Sequence, residues 1–301
     1  MTEPQTVGAH RGRRSRFREH LVTGVCAALL VAGGVYVVLR PGDTQAQDPA
    51  PSAAPSGTVA EQSSKPTPAG HVSGLAMPTG DLPGWKQVLA DDFTGDVDTN
   101  WGRYNGMPDG DPGGWFEPSH VNAAKGELVI TGARKQTPNG RIYATGGLAA
   151  KVSQVYGRYE VRFRMDKGRG IQFNLLLWPS DDSWPPEINF AEDNGKERTG
   201  FATTMHYGPP HKTISRYLKI DTSKWHTAGL EWSPGKLSYL MDGKVWATVQ
   251  TSAVPKVPMQ LAIQTQAWHC GTQWAGCPNS STPAQVNLHV DWVVIYSRAT
   301  S

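Results

Sequence analysis

Cysteine, charge and helical periodicity are all in short supply in this 301-residue chain. Only three cysteines occur, at 26, 270 and 277, too few for a disulfide-dense scaffold. Charged residues make up 18% and apolar residues 38%, both below globular averages, and apolar positions do not recur at helical spacing. A helical bundle is therefore excluded. No internal repeat is present. Long apolar runs are missing too, except from Leu21 to Leu39. What is plentiful is glycine (33), proline (23) and tryptophan (11), a composition of strands, turns and a linker.

The formal charge of +3 does not mark a polyanion binder. Residues 1–20 carry Arg11, Arg13, Arg14, Arg16 and Arg18 against Glu3 and Glu19, which is the whole excess. The rest of the chain is balanced at 24 basic and 24 acidic residues, so no nucleic-acid partner is expected. Behind this basic tail, residues 21–39 are uncharged. As a helix they would span roughly 28 Å, close to a bilayer's hydrocarbon core. The basic tail is expected to stay in the cytoplasm and the remainder to be exported. Residues 21–39 then act as a transmembrane signal anchor, or as the apolar part of a signal peptide cut near Thr44-Gln45-Ala46. Localisation is accordingly extracellular or at the cell surface. Residues 40–80 are rich in Pro, Ala, Ser and Thr with almost no large apolar side chain, and read as a disordered tether. Export also suits Cys270 and Cys277, with six residues between them in one loop, as a local disulfide. The alternative, zinc, lacks further ligands at metal spacing.

Residues 81–301 read as one antiparallel β domain. In Tyr159-Glu-Val-Arg-Phe-Arg-Met165 apolar and charged residues alternate strictly, so one face packs and the other is wet. Lys236–Met241 and Lys244–Gln250 flank Asp242-Gly243, a two-residue hairpin signal. Further strands are expected near 126–132, 171–178, 186–193, 201–207, 225–232, 258–266 and 286–297. About a dozen short strands without intervening helices imply a sandwich or jelly roll.

The stretch Trp184-Pro-Pro-Glu187-Ile-Asn189-Phe-Ala-Glu192-Asp carries the most chemistry. Glu187 and Asn189 share a strand face. Glu192, five residues from Glu187, reaches that face only through a β-bulge near Phe190-Ala191. Two carboxyls beside Trp178 and Trp184 suit glycoside hydrolysis, in which sugar faces stack on aromatic rings and the acetal bond needs two carboxyl groups. A solvated strand face with two unrelated glutamates is the competing interpretation.

The segment resembles the active-site strand of glycoside hydrolase family 16 in its laminarinase-like, bulged form, Glu-aliphatic-Asp-aliphatic-x-Glu, with Asn189 in place of the central Asp. Val88–Phe93, Tyr156–Arg162, Leu176–Pro179, Trp225–Trp232 with Met241–Gly243, and Val290–Tyr296 resemble further family segments in the expected order. The resemblance implies a concanavalin-like β-jelly roll with a concave substrate cleft. It implies a retaining endo-β-glycosidase, with Glu187 as nucleophile and Glu192 as general acid/base. A neutral β-glucan, most readily β-1,3-linked, is the implied substrate. A weakly cleaving glucan-binding protein and a cell-envelope transglycosylase are the rival readings. Asn189 is expected to remove a charge between the carboxyls, to donate an amide hydrogen bond to Glu187 and to let Glu192 titrate lower. Substrate contacts are expected from Trp184, Trp178, His206, Trp115, Gln264, Gln266 and Trp268. Phe116 and Trp274 stand in similar glycine-rich contexts, whereas His226 and Trp232 are assigned to structure. Hydrolysis needs no cofactor. Asp291 matches a position that helps bind structural calcium in some members. A monomer is expected.

Overall fold

The computed structural model describes residues 70–299, except 109, 110, 112, 113, 139, 272 and 273. The expected tail, apolar span and most of the tether lie outside the described residues. Among the described residues, no helix is long and apolar enough to cross a membrane.

Sixteen strands follow one another in the order β1 (Trp85–Asp91), β2 (Trp101–Arg103), β3 (Val121–Ala124), β4 (Glu127–Thr137), β5 (Gly140–Ala144), β6 (Gly147–Gln154), β7 (Gly157–Met165), β8 (Gln172–Pro179), β9 (Glu187–Glu192), β10 (Gly200–Tyr207), β11 (Lys212–Lys219), β12 (His226–Ser233), β13 (Lys236–Met241), β14 (Lys244–Gln250), β15 (Met259–Gln266) and β16 (Gln285–Arg298). Two short 3-10 turns, Val97–Thr99 and Pro118–His120, are the helices among the described residues. All strand pairings in the two sheets are antiparallel.

A front sheet runs β11-β10-β9-β8-β15-β6-β2, and a back sheet runs β14-β13-β12-β7-β16-β4-β3, with β1 on β16 and β5 on β4. The apolar core lies between them. Tyr159, Val161, Phe163 and Met165 of β7 enter it, opposite Phe173, Leu175 and Leu177 of β8. The charged alternates of β7 face outward, where Arg158 pairs with Glu160 and Glu231. Asp242 and Gly243 both adopt positive φ, 49° and 77°, between the paired residues Met241 and Lys244. That is the turn an Asp-Gly hairpin requires.

The folded region begins earlier than the expected boundary at 80. Residues 70–82 lie as a strap across the outer side of the back sheet. Ser73 donates through its backbone N–H (3.2 Å) and its hydroxyl to Asp291, and Trp292 Nε1 donates to the Leu75 carbonyl at 3.0 Å. Met77 and Leu82 pack with Trp85 on Trp292, Val294 and Tyr296.

Candidate active site

β9 lies between β8 and β10, near the middle of the front sheet. Its register carries the expected bulge. From Asn189 to Glu192 the strand advances three residues while β10 advances two, Thr204 to Ala202, and β8 also two, Leu176 to Asn174. The extra residue lets both Phe190 and Ala191 enter the core with Ile188. Glu187, Asn189 and Glu192 are left together on the outer face. Measured along β10, Glu187 stands opposite His206 and Glu192 opposite Ala202, an even spacing that keeps both on one side. The bulge also shortens the separation of their Cα atoms from roughly 16 to roughly 13 Å. The remaining gap is left for the side chains to close.

Hydrogen bonds fix the three groups. Glu187, 1% exposed, accepts the Trp184 indole N–H on Oε2 at 2.9 Å. Asn189 donates from Nδ2 to Glu192 Oε2 at 3.2 Å. Asn174 of β8 donates to Asn189 Oδ1 at 3.1 Å and to Glu192 Oε1 at 3.4 Å. Burial pushes the Glu187 carboxyl up to about 7, with the Trp184 and Asn189 donors pulling it part of the way back. Glu192 is raised well above the ordinary carboxylate range, by burial first and then by the charges of Glu187 and Asp193, against the Asn189 donor. Glu187 therefore ionises first and its charge holds the proton on Glu192. The asparagine was expected to serve Glu187 and to let Glu192 titrate lower. Its 3.2 Å contact is to Glu192, and as a donor it also lowers the Glu187 carboxyl, as expected.

Supporting groups surround this trio. His206 Nε2 lies 3.4 Å from Asn189 Nδ2, and its Nδ1 lies 2.9 Å from His211 Nε2. Burial and His211 push His206 down to about 4. Next to Glu192, the buried Asp193 is paired with Arg198, which also donates to the carbonyls of Asp166, Gly168 and Ile171.

The profile of the glycosyl hydrolases family 16 matches residues 115–294. The chain belongs to this family. A curated relative, an endo-1,3-1,4-beta-glycanase of Rhizobium meliloti (strain 1021), is 26% identical over 200 residues. The match covers 63% of this chain and 42% of that protein, so the chain spans less than half of that relative's length. A beta-glucanase of Rhodothermus marinus is 25% identical over 258 residues, covering 71% and 86% of the two chains. Among solved structures, the endo-beta-1,3-glucanase from Pyrococcus furiosus superposes with a TM-score of 0.64 at 23% identity, over 72% of this chain and 96% of that one. The shared architecture is a jelly-roll-like antiparallel sandwich.

Within this family member the remaining expected residues are distributed unevenly. Trp184 and His206 lie at the carboxyls, with ring centres 6.0 Å apart. Trp178 does not offer a ring face to a ligand. It is 2% exposed, packed with Tyr104, Phe116, Ala149, Leu176 and Ala262 under the loop that follows β2. Trp268 is likewise 1% exposed, its ring 5.5 Å from that of Trp274. Trp115 is half-buried and donates to Glu117 at 3.0 Å. Gln264 and Gln266 share the outer face as expected, yet both are buried. Gln264 donates to Gln266 at 3.4 Å and Gln266 to Asp111 at 3.1 Å. The outward alternates of β8, Gln172, Asn174 and Leu176, are buried beside Trp178 as well. Cys270 and Cys277 form the disulfide, Cα atoms 5.0 Å apart. Trp232 is buried and His226 contacts Asp242, both structural.

Asp291 lies on the back sheet, with its Oδ1 buried and without a hydrogen-bond partner among the described residues. Its carboxylate receives donors from Ser73 and contacts His71 at 3.5 Å, while Arg162 donates to the same Ser73 hydroxyl. A hard cation needs several oxygen ligands there. No group of three or more His, Cys, Asp or Glu that could hold a metal ion occurs among the described residues. A cavity of about 740 Å³ at Lys167, Lys196 and Lys219 lies on the loops, not at the carboxyls.

Asn174 and His211 are functional neighbours that sequence reasoning missed. Asn174 had a signal, a lone amide inside Phe-Asn-Leu-Leu-Leu-Trp. His211 had none, since its approach depends on the path of the loop after β10.

Proposed function

We propose that the chain is a retaining endo-β-glycosidase that hydrolyses a β-glucan, most readily one with β-1,3 links. The observation that carries this reading is the bulge that gathers Glu187, Asn189 and Glu192 on one face. The glucanase names and titles of its relatives support the substrate class.

Glu187, ionised first, attacks the anomeric carbon while Glu192 delivers its proton to the leaving oxygen. The glycosidic bond breaks and an ester to Glu187 forms. Glu192, now anionic, removes a proton from water, which displaces Glu187 and restores both groups. Trp184 donates its indole N–H to Glu187 and offers a half-exposed ring beside it. Asn189 and Asn174 bind both oxygens of Glu192 and keep the carboxyl in one plane. No cofactor takes part. Residues 1–20, 21–39 and 40–69 would serve as cytoplasmic tail, membrane anchor or signal, and tether, placing a monomeric enzyme at the cell surface or outside.

Product analysis with laminarin-type β-1,3-glucan, mixed-linkage glucan and galactan tests the reading. New reducing ends on shorter chains are expected, and Glu187→Gln and Glu192→Gln should each abolish them. Longer products would make the protein a transglycosylase. Binding without products would make it a lectin, and unchanged activity in Glu187→Gln would overturn the site.

A further inference from the structure

The Asn189 amide stands in a chain of contacts with a single consistent direction. Its oxygen faces Asn174 Nδ2 at 3.1 Å, so its nitrogen is turned to Glu192 Oε2 at 3.2 Å and His206 Nε2 at 3.4 Å. The opposite orientation would set the Asn189 and Asn174 amide nitrogens against each other. An amide nitrogen only donates. His206 Nε2 must therefore be the bare, accepting nitrogen, and the ring proton must sit on Nδ1. That N–H donates to His211 Nε2 at 2.9 Å, which in turn places the His211 proton on its own Nδ1. The two imidazoles stack at 5.2 Å with 17° between planes, and Trp184 covers His211 with ring centres 4.6 Å apart. The amide nitrogen thus faces both Glu192 and His206, and it also lowers the Glu187 carboxyl.

We propose that His206 and His211 are positioning residues for Glu192: two neutral, Nδ1-protonated imidazoles that lock the Asn189 amide with its nitrogen toward the carboxyl. Neither needs to touch the reacting atoms. The proposal rests on the reading of Glu192 as acid/base. The groups facing His206 are Glu187 and Asn189 from β9, Thr213 from β11, His211 from the following loop and the Trp184 ring. Protonating His206 would put an N–H against the Asn189 N–H and release the amide. Burial and the neighbouring His211 push the His206 pKa down to about 4, which agrees with a ring that stays neutral.

Two-bond ¹H–¹⁵N spectra of the full chain with labelled histidine test the tautomers. At pH 6.5, His206 and His211 are expected as Nδ1–H forms, assigned through His206→Gln and His211→Phe. A His206 found as the Nε2–H form, or as imidazolium, overturns the proposal. Kinetics provide the second readout. His211→Phe keeps a ring against Trp184 but removes the acceptor. It should lower kcat about tenfold, as expected for loss of one hydrogen bond to a reacting group, and shift the alkaline limb of the pH profile, with KM within about twofold. Unchanged kcat and pH limb, while Glu192→Gln is inactive, would overturn the positioning role alone. Full activity in Glu192→Gln would overturn the acid/base reading and this proposal together.

Discussion

Replacing Glu187 by Gln should make the folded protein more stable at alkaline pH, and by an amount that can be worked out in advance. The carboxyl is 1% exposed, and burial raises it from the ordinary 4.5 to about 7. Between those values the folded state holds a proton that the unfolded chain has released. Stability therefore falls as pH rises through this window and stays low above it. The difference corresponds to about 3 kcal/mol of penalty for the ionised carboxylate at pH 8. A glutamine of the same shape carries no such penalty and still offers an oxygen to the Trp184 N–H, although the weakened hydrogen bond returns about 1 kcal/mol. A net gain of about 2 kcal/mol is expected, or about 4–8 °C in Tm for a domain of this size. At pH 4.5, where the carboxyl is protonated when folded, the gain should vanish or become a slight loss. Urea or thermal unfolding of both proteins at pH 4.5 and pH 8 measures this without any substrate. A Gln variant that is equally or less stable at pH 8, or shifted identically at both pH values, would refute the reasoning.

Other consequences are open to direct measurement. The rate should rise through about pH 7 as Glu187 ionises and fall at higher pH as Glu192 loses its proton; an optimum near pH 5 in a pH–rate profile would contradict this. Arg198→Met strands the buried Asp193 and three backbone carbonyls, at a cost of about 3–5 kcal/mol, and adding Asp193→Asn should recover part of it in denaturant melts. Starting the chain at residue 81 removes the Ser73 donors to Asp291 and the Met77 cover, which should cost about 2–4 kcal/mol. A chain starting at residue 70 should melt like the full protein.

Local signals in the chain reached far into the fold. The alternation of Tyr159 to Met165 and the Asp242-Gly243 turn are decided by neighbours in sequence, and both were legible. So was the bulge, because two glutamates five residues apart can share a face in no other regular way. β11 escaped notice as an edge strand with few apolar residues, Ile214 and Leu218 being its inward pair. Legibility failed where distant segments meet. Nothing within twenty residues of Trp178 or Trp268 announces the loops that bury them. The roles of Gln264 and Gln266 depend on Asp111, more than 150 positions away. The strap of residues 70–82 looked like tether because its own composition is poor in apolar groups. Its order comes from β16, more than two hundred residues later.

That strap gives the domain a handle and a working side. It is fastened to the outside of the back sheet, whereas Glu187 and Glu192 open on the outside of the front sheet, across the full thickness of the sandwich. The described chain thus starts on the side away from the carboxyls. A pull on that end is borne first by Asp291 and Trp292, not by the strand that carries the carboxyls. The face that carries the carboxyls is thus left clear of the strap.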